Sequence, residues 1–268
     1  MTASRKVRVV ALAVLLGMAA CGKGASPKTG VTPLAASASQ EELRALWRRA
    51  SAEYSRGRWG KAAPLYERVT LEVPAGDTLA IAAHFRLAEC YFGQRSQLQA
   101  AREFRKVSDD YPTSGLAPEA LLRAGDAYAD LWRRPELDPT YGKTALGTYQ
   151  ELLSRYPDAA AAARARIRIS ELEEMFARKD YKTAIYYYRL KAYDSAILYL
   201  KDIAATYPRA SVTPEVLMSL VRAYRAVNYP EDVVETCSYI RRYHPTTPGV
   251  DAVCPVTRDS ASVPAGTQ

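Results

Sequence analysis

The sequence predicts an all-α protein, a solenoid of about five helix pairs over residues 40–245. Three observations carry that expectation: a triplet of apolar residues repeats at fixed steps, a proline closes each triplet, and helix-opening Pro-Glu pairs follow two of the prolines. The closing prolines are Pro74, Pro112, Pro157, Pro208 and Pro245, and twelve residues before them stand Ala62, Ala100, Ala145, Ala196 and Val233. Four residues after those come Tyr66, Phe104, Tyr149, Leu200 and Cys237, and three further on Val69, Val107, Leu152, Ile203 and Ile240. Steps of 4 and 3 describe one face of a helix, and five residues later the proline stops it. The small residue admits a neighbouring helix, and the two larger ones fill the space beside it.

Each unit also has an upstream partner helix. Tyr91, Tyr187 and Tyr224 lie nine residues before the small residue of their own unit. His84, Leu87 and Ala88 precede Tyr91, and Leu217, Leu220 and Val221 precede Tyr224. This order resembles the tetratricopeptide pattern, in which two antiparallel helices pack at close range. The proline spacings of 38, 45, 51 and 37 residues exceed the regular period of about 34, so some helices or loops are longer than usual. Pro118-Glu119 and Pro214-Glu215 each lie six residues after a closing proline. Proline loses nothing in a first turn, where its N–H would have no partner, and glutamate there suits the helix dipole. Asp138 and Pro139 are placed to cap and open the second helix of repeat three, and Glu174 and Arg178 form an i,i+4 pair on the next helix.

The flanks read differently. Arg5, Lys6 and Arg8, the ten-residue apolar run Val9 to Met18, and Ala19-Ala20 before Cys21 make residues 1–20 a secretory signal. The run falls short of the about 20 residues a membrane span needs. Cys21 resembles the lipobox cysteine of bacterial lipoproteins, which is acylated and becomes the mature N-terminus; Met18 stands where those proteins usually have Leu. That likeness implies a lipid on Cys21, with Gly22 favouring export to the outer membrane. Residues 21–39 read as a flexible Gly/Ser/Thr/Pro tether and residues 246–268 as a disordered tail.

Chemistry is harder to find. No phosphate-cradling Gly-rich loop, GxSxG elbow or HExxH occurs, and adjacent acidic pairs such as Asp109-Asp110 point in different directions on a helix. His84 falls on a packing position. The expectation is a binding protein, not an enzyme, because a helical-repeat array offers a long surface. Without the three signal cations the Lys+Arg count falls from 37 to 34 against 29 Asp+Glu. That mild excess, with no dense basic block, argues against nucleic acid as a partner. No CxxC pair exists, and with only two His in the chain neither a metal nor another cofactor is expected beyond the lipid. Cys90 and Cys237 read as small apolar packing groups; whether Cys237 instead joins Cys254 in an oxidising compartment stays open.

The stretch "LDPTYGKTALGTYQELLSRYP" (Leu137 to Pro157) and the Tyr-rich helix before "KAYDSAI" (Lys191 to Ile197) resemble the BamD family of outer-membrane β-barrel assembly lipoproteins. The resemblance covers about residues 40–245. It implies an adaptor in the outer membrane, facing the periplasm, that binds the POTRA domains of the barrel-forming subunit and unfolded outer-membrane proteins. The alternative is another tetratricopeptide lipoprotein that scaffolds cell-envelope or peptidoglycan enzymes. The resemblance places docking in repeats four and five, where Arg222, Arg225, Arg241 and Arg242 are the candidate contacts. Positions five and twelve of the first helices put Trp47 and Tyr54, Phe85 and Phe92, and Tyr181 and Tyr188 on the inner groove. Leu122 and Ala129 interrupt that run in repeat three, so repeats one and two are the expected recognition end.

Overall fold

The computed structural model describes residues 33–254 apart from residue 75, with side chains from residue 39 onward. The signal, Cys21, most of the tether and residues 255–268 lie outside the described residues.

The described residues fold into helices joined by short turns. Repeat one consists of α1 (Pro33–Ser55) and α2 (Trp59–Glu72), repeat two of α3 (Thr78–Gly93) and α4 (Gln97–Asp110). Repeat three has α5 (Ala117–Ala129) and α6 (Thr140–Arg155), repeat four α7 (Ala160–Arg189) and α8 (Tyr193–Thr206), repeat five α9 (Thr213–Ala226) and α10 (Pro230–Tyr243). A single turn, α11 (Val250–Val253), follows. From α2 to α10 each helix packs on the next in the chain, and α7 also touches α5 and α9. The result is the tetratricopeptide-like solenoid that the spacing predicts.

The apolar triplets form its core. All fifteen residues of the five triplets are buried, Val233 being the most accessible at 5% together with none of the others above it. A buried side chain of this size contributes about 1.5–3 kcal/mol, so the repeat is written where the energy is. The second helix of every repeat stops two residues before its proline. The residue before a proline is driven out of the helical region; Tyr111, Tyr156, Tyr207 and His244 accordingly sit at φ between -122° and -136°. Pro118 and Pro214 open α5 and α9 as expected. The Asp138 carboxylate accepts from the Thr140 N–H at 3.0 Å, starting α6.

The turns inside repeats one, two, four and five share a geometry that the sequence hides. Gly57, Arg95, Lys191 and Asn228, each two residues past a first helix, have φ between 59° and 70°. A left-handed residue there closes a Schellman turn, whose 6→1 bond returns to the helix. Three of those bonds land on the carbonyls of Tyr91, Tyr187 and Tyr224, from Ser96, Ala192 and Tyr229. The tyrosine nine residues before the small residue thus marks the end of the first helix. Repeat three replaces this turn with a longer loop, in which Trp132 occupies the space left by Gly142 and stacks on Phe176 at 4.5 Å.

The helical array runs a few residues past the expected bounds at both ends. Helix α1 begins at Pro33, inside the segment read as tether, because proline suits a first turn and the following Ala-rich stretch favours helix. Residues 246–254, read as part of a disordered tail, carry α11, and Val250, Val253 and Cys254 are buried. Cys237 and Cys254 are joined in a disulfide, with Cα atoms 5.5 Å apart. That bond and the apolar spacing of Val250 and Val253 fix a segment whose composition alone suggested disorder.

Candidate functional site

A cleft of about 1000 Å³ opens among the repeat-three loop, α7 and α9. Pro135 and Glu136 form one wall, Tyr181, Lys182 and Tyr188 of α7 line the floor, and Ser219 and Arg222 of α9 close the other side. The length of α7 makes this possible: its first half packs with repeat three and its second half with repeat five. The loop wall is fastened to α7 by Lys179, whose ammonium donates to the carbonyls of Pro135 at 3.2 Å and Leu137 at 3.1 Å. Lys182 pairs with Glu136. Across the cleft, the Tyr181 hydroxyl hydrogen-bonds the Ser219 hydroxyl at 2.9 Å, and burial, opposed by that bond, holds the phenol above its ordinary range.

The charges lining the cleft are mixed with a cationic excess, since Glu136 and Glu215 share it with Arg178, Lys182, Arg189 and Arg222. Arg178 is engaged by Glu174 at 2.6 Å. Arg189 and Arg222 also line it, and among the described residues neither has an ion-pair partner. Two guanidiniums without an ion-pair partner, in one cleft with Tyr181 and Tyr188, suit a carboxylate-bearing segment with apolar side chains, since Arg and Tyr are enriched on recognition surfaces.

In repeats one to three several charges are paired between helices. Tyr54 donates to Glu89 at 2.8 Å, and Arg86 reaches Glu89 at 2.7 Å. Burial and the Glu89 carboxylate push the Tyr54 phenol up to about 12. Arg168 bridges Asp126 at 3.2 Å and Glu171 at 2.9 Å, and Arg164 pairs with Glu119. His84 is buried with its Nδ1 2.9 Å from the Glu103 carboxylate, a packed position as its place in the repeat suggested.

The six aromatic candidates do not form one groove. Phe85 is only 8% exposed and meets Phe104 edge-on at 5.3 Å, so it is core; the helix rotates it into the repeat interface. Trp47 and Tyr54 are half-buried against Tyr66, at 5.2 and 6.2 Å between ring centres. Phe92 lines a smaller cleft of about 390 Å³ beneath the Arg123 guanidinium. Only Tyr181 and Tyr188 reach the large cleft, at the end opposite to the one expected.

The arginine candidates divide as well. Arg222 lies in the cleft, while Arg225 borders a shallow pocket with Tyr229 and Val234. Arg242 is exposed beside the Tyr243 ring. Arg241 is not a free rim residue: it donates to the Cys254 carbonyl at 3.2 Å and lies 4.0 Å from Asp251, because the terminal segment folds over it. Arg189 and the repeat-three loop were missed; the only sign in the sequence was the 51-residue proline spacing that lengthens α7.

Fold and cleft define the class: a helical-repeat protein with a tyrosine- and arginine-lined recess among its helices. The chain belongs to the YfiO family of outer membrane lipoproteins, whose model matches residues 39–239. It is similar to the outer membrane protein assembly factor BamD of Vibrio cholerae, 29% identical over 42% of this chain and 46% of that protein. BamD of Neisseria gonorrhoeae is 27% identical over 41% of this chain and 42% of that protein. BamD of Caulobacter vibrioides is 22% identical over 84% of this chain and 72% of that protein. The matches to the first two span less than half of those proteins' length.

Proposed function

We propose that this protein is an outer-membrane protein assembly factor, an adaptor without a cofactor that joins the barrel-forming subunit to its unfolded clients. It is held by a lipid on Cys21 at the outer membrane and faces the periplasm. The observation that carries the reading is the family match across residues 39–239, which takes in nearly the whole helical array. The cleft supports it: Arg189, Arg222, Tyr181 and Tyr188 supply the charged and aromatic groups that a POTRA domain or an extended client segment would meet.

The test is co-purification of the barrel-forming subunit with wild-type protein and with the Arg189→Glu/Arg222→Glu pair. The pair should lose the complex while keeping its helical signal and melting temperature. Undiminished capture would remove the cleft from the docking site, and no capture by wild type, with recovery of cell-wall enzymes instead, would overturn the assembly reading. For the anchor, Cys21→Ala should abolish acyl labelling and membrane retention, since stable anchoring needs more than one acyl chain; full labelling in the variant would refute it.

A further inference from the structure

Each helix pair of the array presents an apolar face that the next pair covers. α5 brings seven buried residues and α9 eight. After α10 the described residues offer only α11, one turn long, which buries Val250 and Val253. It packs on α9 and α10, in the same apolar cluster as Leu220, Val233, Cys237 and Ile240. An isolated turn is unstable as a helix, and two valines are a weak grip for a segment that must give up its backbone freedom. Two further links hold it. The Cys237–Cys254 disulfide ties its end to α10, and Arg241 grips the Cys254 carbonyl at 3.2 Å.

We propose that residues 246–254 form a cap over the apolar face of α9 and α10, and that the Cys237–Cys254 disulfide is the clasp that seats it, so that the chain matures by oxidation. In that step the two thiols give up two electrons and two protons and an S–S bond forms. An external disulfide, of a small molecule or of a thiol oxidant protein, is reduced to two thiols. Exchange requires a thiolate, and Cys90, fully buried with its thiol pushed up to about 12 by burial, is a poor competitor for the pairing. Once closed, both sulfurs are shielded, Cys237 being 2% and Cys254 1% exposed. A dithiol therefore reaches the bond only when the cap lifts. The cap rests on α9, the helix that carries Ser219 and Arg222 into the cleft, so unseating it loosens that wall. This proposal stands independently of the assembly-factor reading.

Full-length protein refolded with oxidised glutathione should give a 237–254 cross-linked peptide on non-reducing mass mapping. In Cys254→Ser, amide hydrogens of 246–254 should exchange at least about tenfold faster, while α4 to α6 keep their protection. Dithiothreitol treatment of the native wild type with alkylation supplies a second route if the variant folds poorly, and should give the same local loss. Unchanged exchange in the cap after the bond is gone would overturn the proposal. So would free thiols at both positions after oxidative refolding, or loss of protection spreading through α4 to α6.

Discussion

The Tyr149 hydroxyl on α6 donates to the Asp126 carboxylate on α5 at 2.8 Å, and its ring fills the space left bare by Gly125. A Cβ at Gly125 would lie 2.3 Å from the Tyr149 ring. The ring is fully buried and cannot swing aside without opening the repeat. Gly125→Ala should cost about 1–3 kcal/mol by overpacking, lowering Tm by about 3–10 °C in a chain of this size. Tyr149→Phe keeps the ring and removes one hydrogen bond, so its cost should stay near 1 kcal/mol. Thermal melts of the two variants check the order; equal losses would mean that Gly125 has room to adapt.

Phe85 and Phe92, seven residues apart on α3, should behave differently. Phe85→Ala opens a cavity against Phe104 and should cost about 3–5 kcal/mol. Phe92 is partly exposed under Arg123, and its replacement by Ala should cost about 1 kcal/mol, the scale of a cation–π contact near the surface. Urea titrations with a shared slope separate the two.

Two carboxylates on α7 should give pH dependences of opposite sign. Burial works against ionisation of Glu174, but hydrogen bonds from Ser211 and Arg178 prevail and hold its pKa below 4.5. Its contribution is therefore complete above that value and lost as pH falls through the lower, folded one. Glu174→Gln should reduce Tm at neutral pH, with the difference closing on acidification. Asp180 is raised, first by burial and then by Asp202, so its charge costs stability above the ordinary pKa near 3.8. Asp180→Asn should raise Tm at neutral pH and converge with wild type in acid. Melting curves between about pH 3 and 8 measure both.

Lys191 turns the chain between α7 and α8 at φ 60°, a conformation that costs a side-chain-bearing residue about 1–2 kcal/mol and glycine little. Lys191→Gly should raise Tm by about 2–4 °C. A lower Tm would show that the turn carries no such strain.

The sequence revealed what is periodic and concealed what depends on the third dimension. Ala62, Tyr66 and Val69 and their counterparts were legible because burial repeats at helical steps, and the prolines because they stop helices wherever they fall. Lys191 and Arg95 concealed the inner turns by occupying a conformation usually left to glycine. Phe85 reads as a groove residue and is core, since a ring between two helices satisfies either pattern. The cleft needed α7, the repeat-three loop and α9 to be brought together, and Arg241 disclosed its role only once residues 246–254 folded back on it.

Helix α7, finally, bears on how the array gives way. Its 30 residues pass without a break from the apolar cluster around Trp132 and Leu172 into the one around Leu200 and Val216. In ordinary repeat arrays stability is a chain of neighbour-to-neighbour couplings, and the ends can fray one unit at a time. Here a single hydrogen-bonded rod belongs to two clusters, so neither can melt without unwinding half of a helix on which the other depends. The array has no seam at its middle: a protease would find no natural cut there, and a fragment ending between repeats three and four would leave half a core on each side.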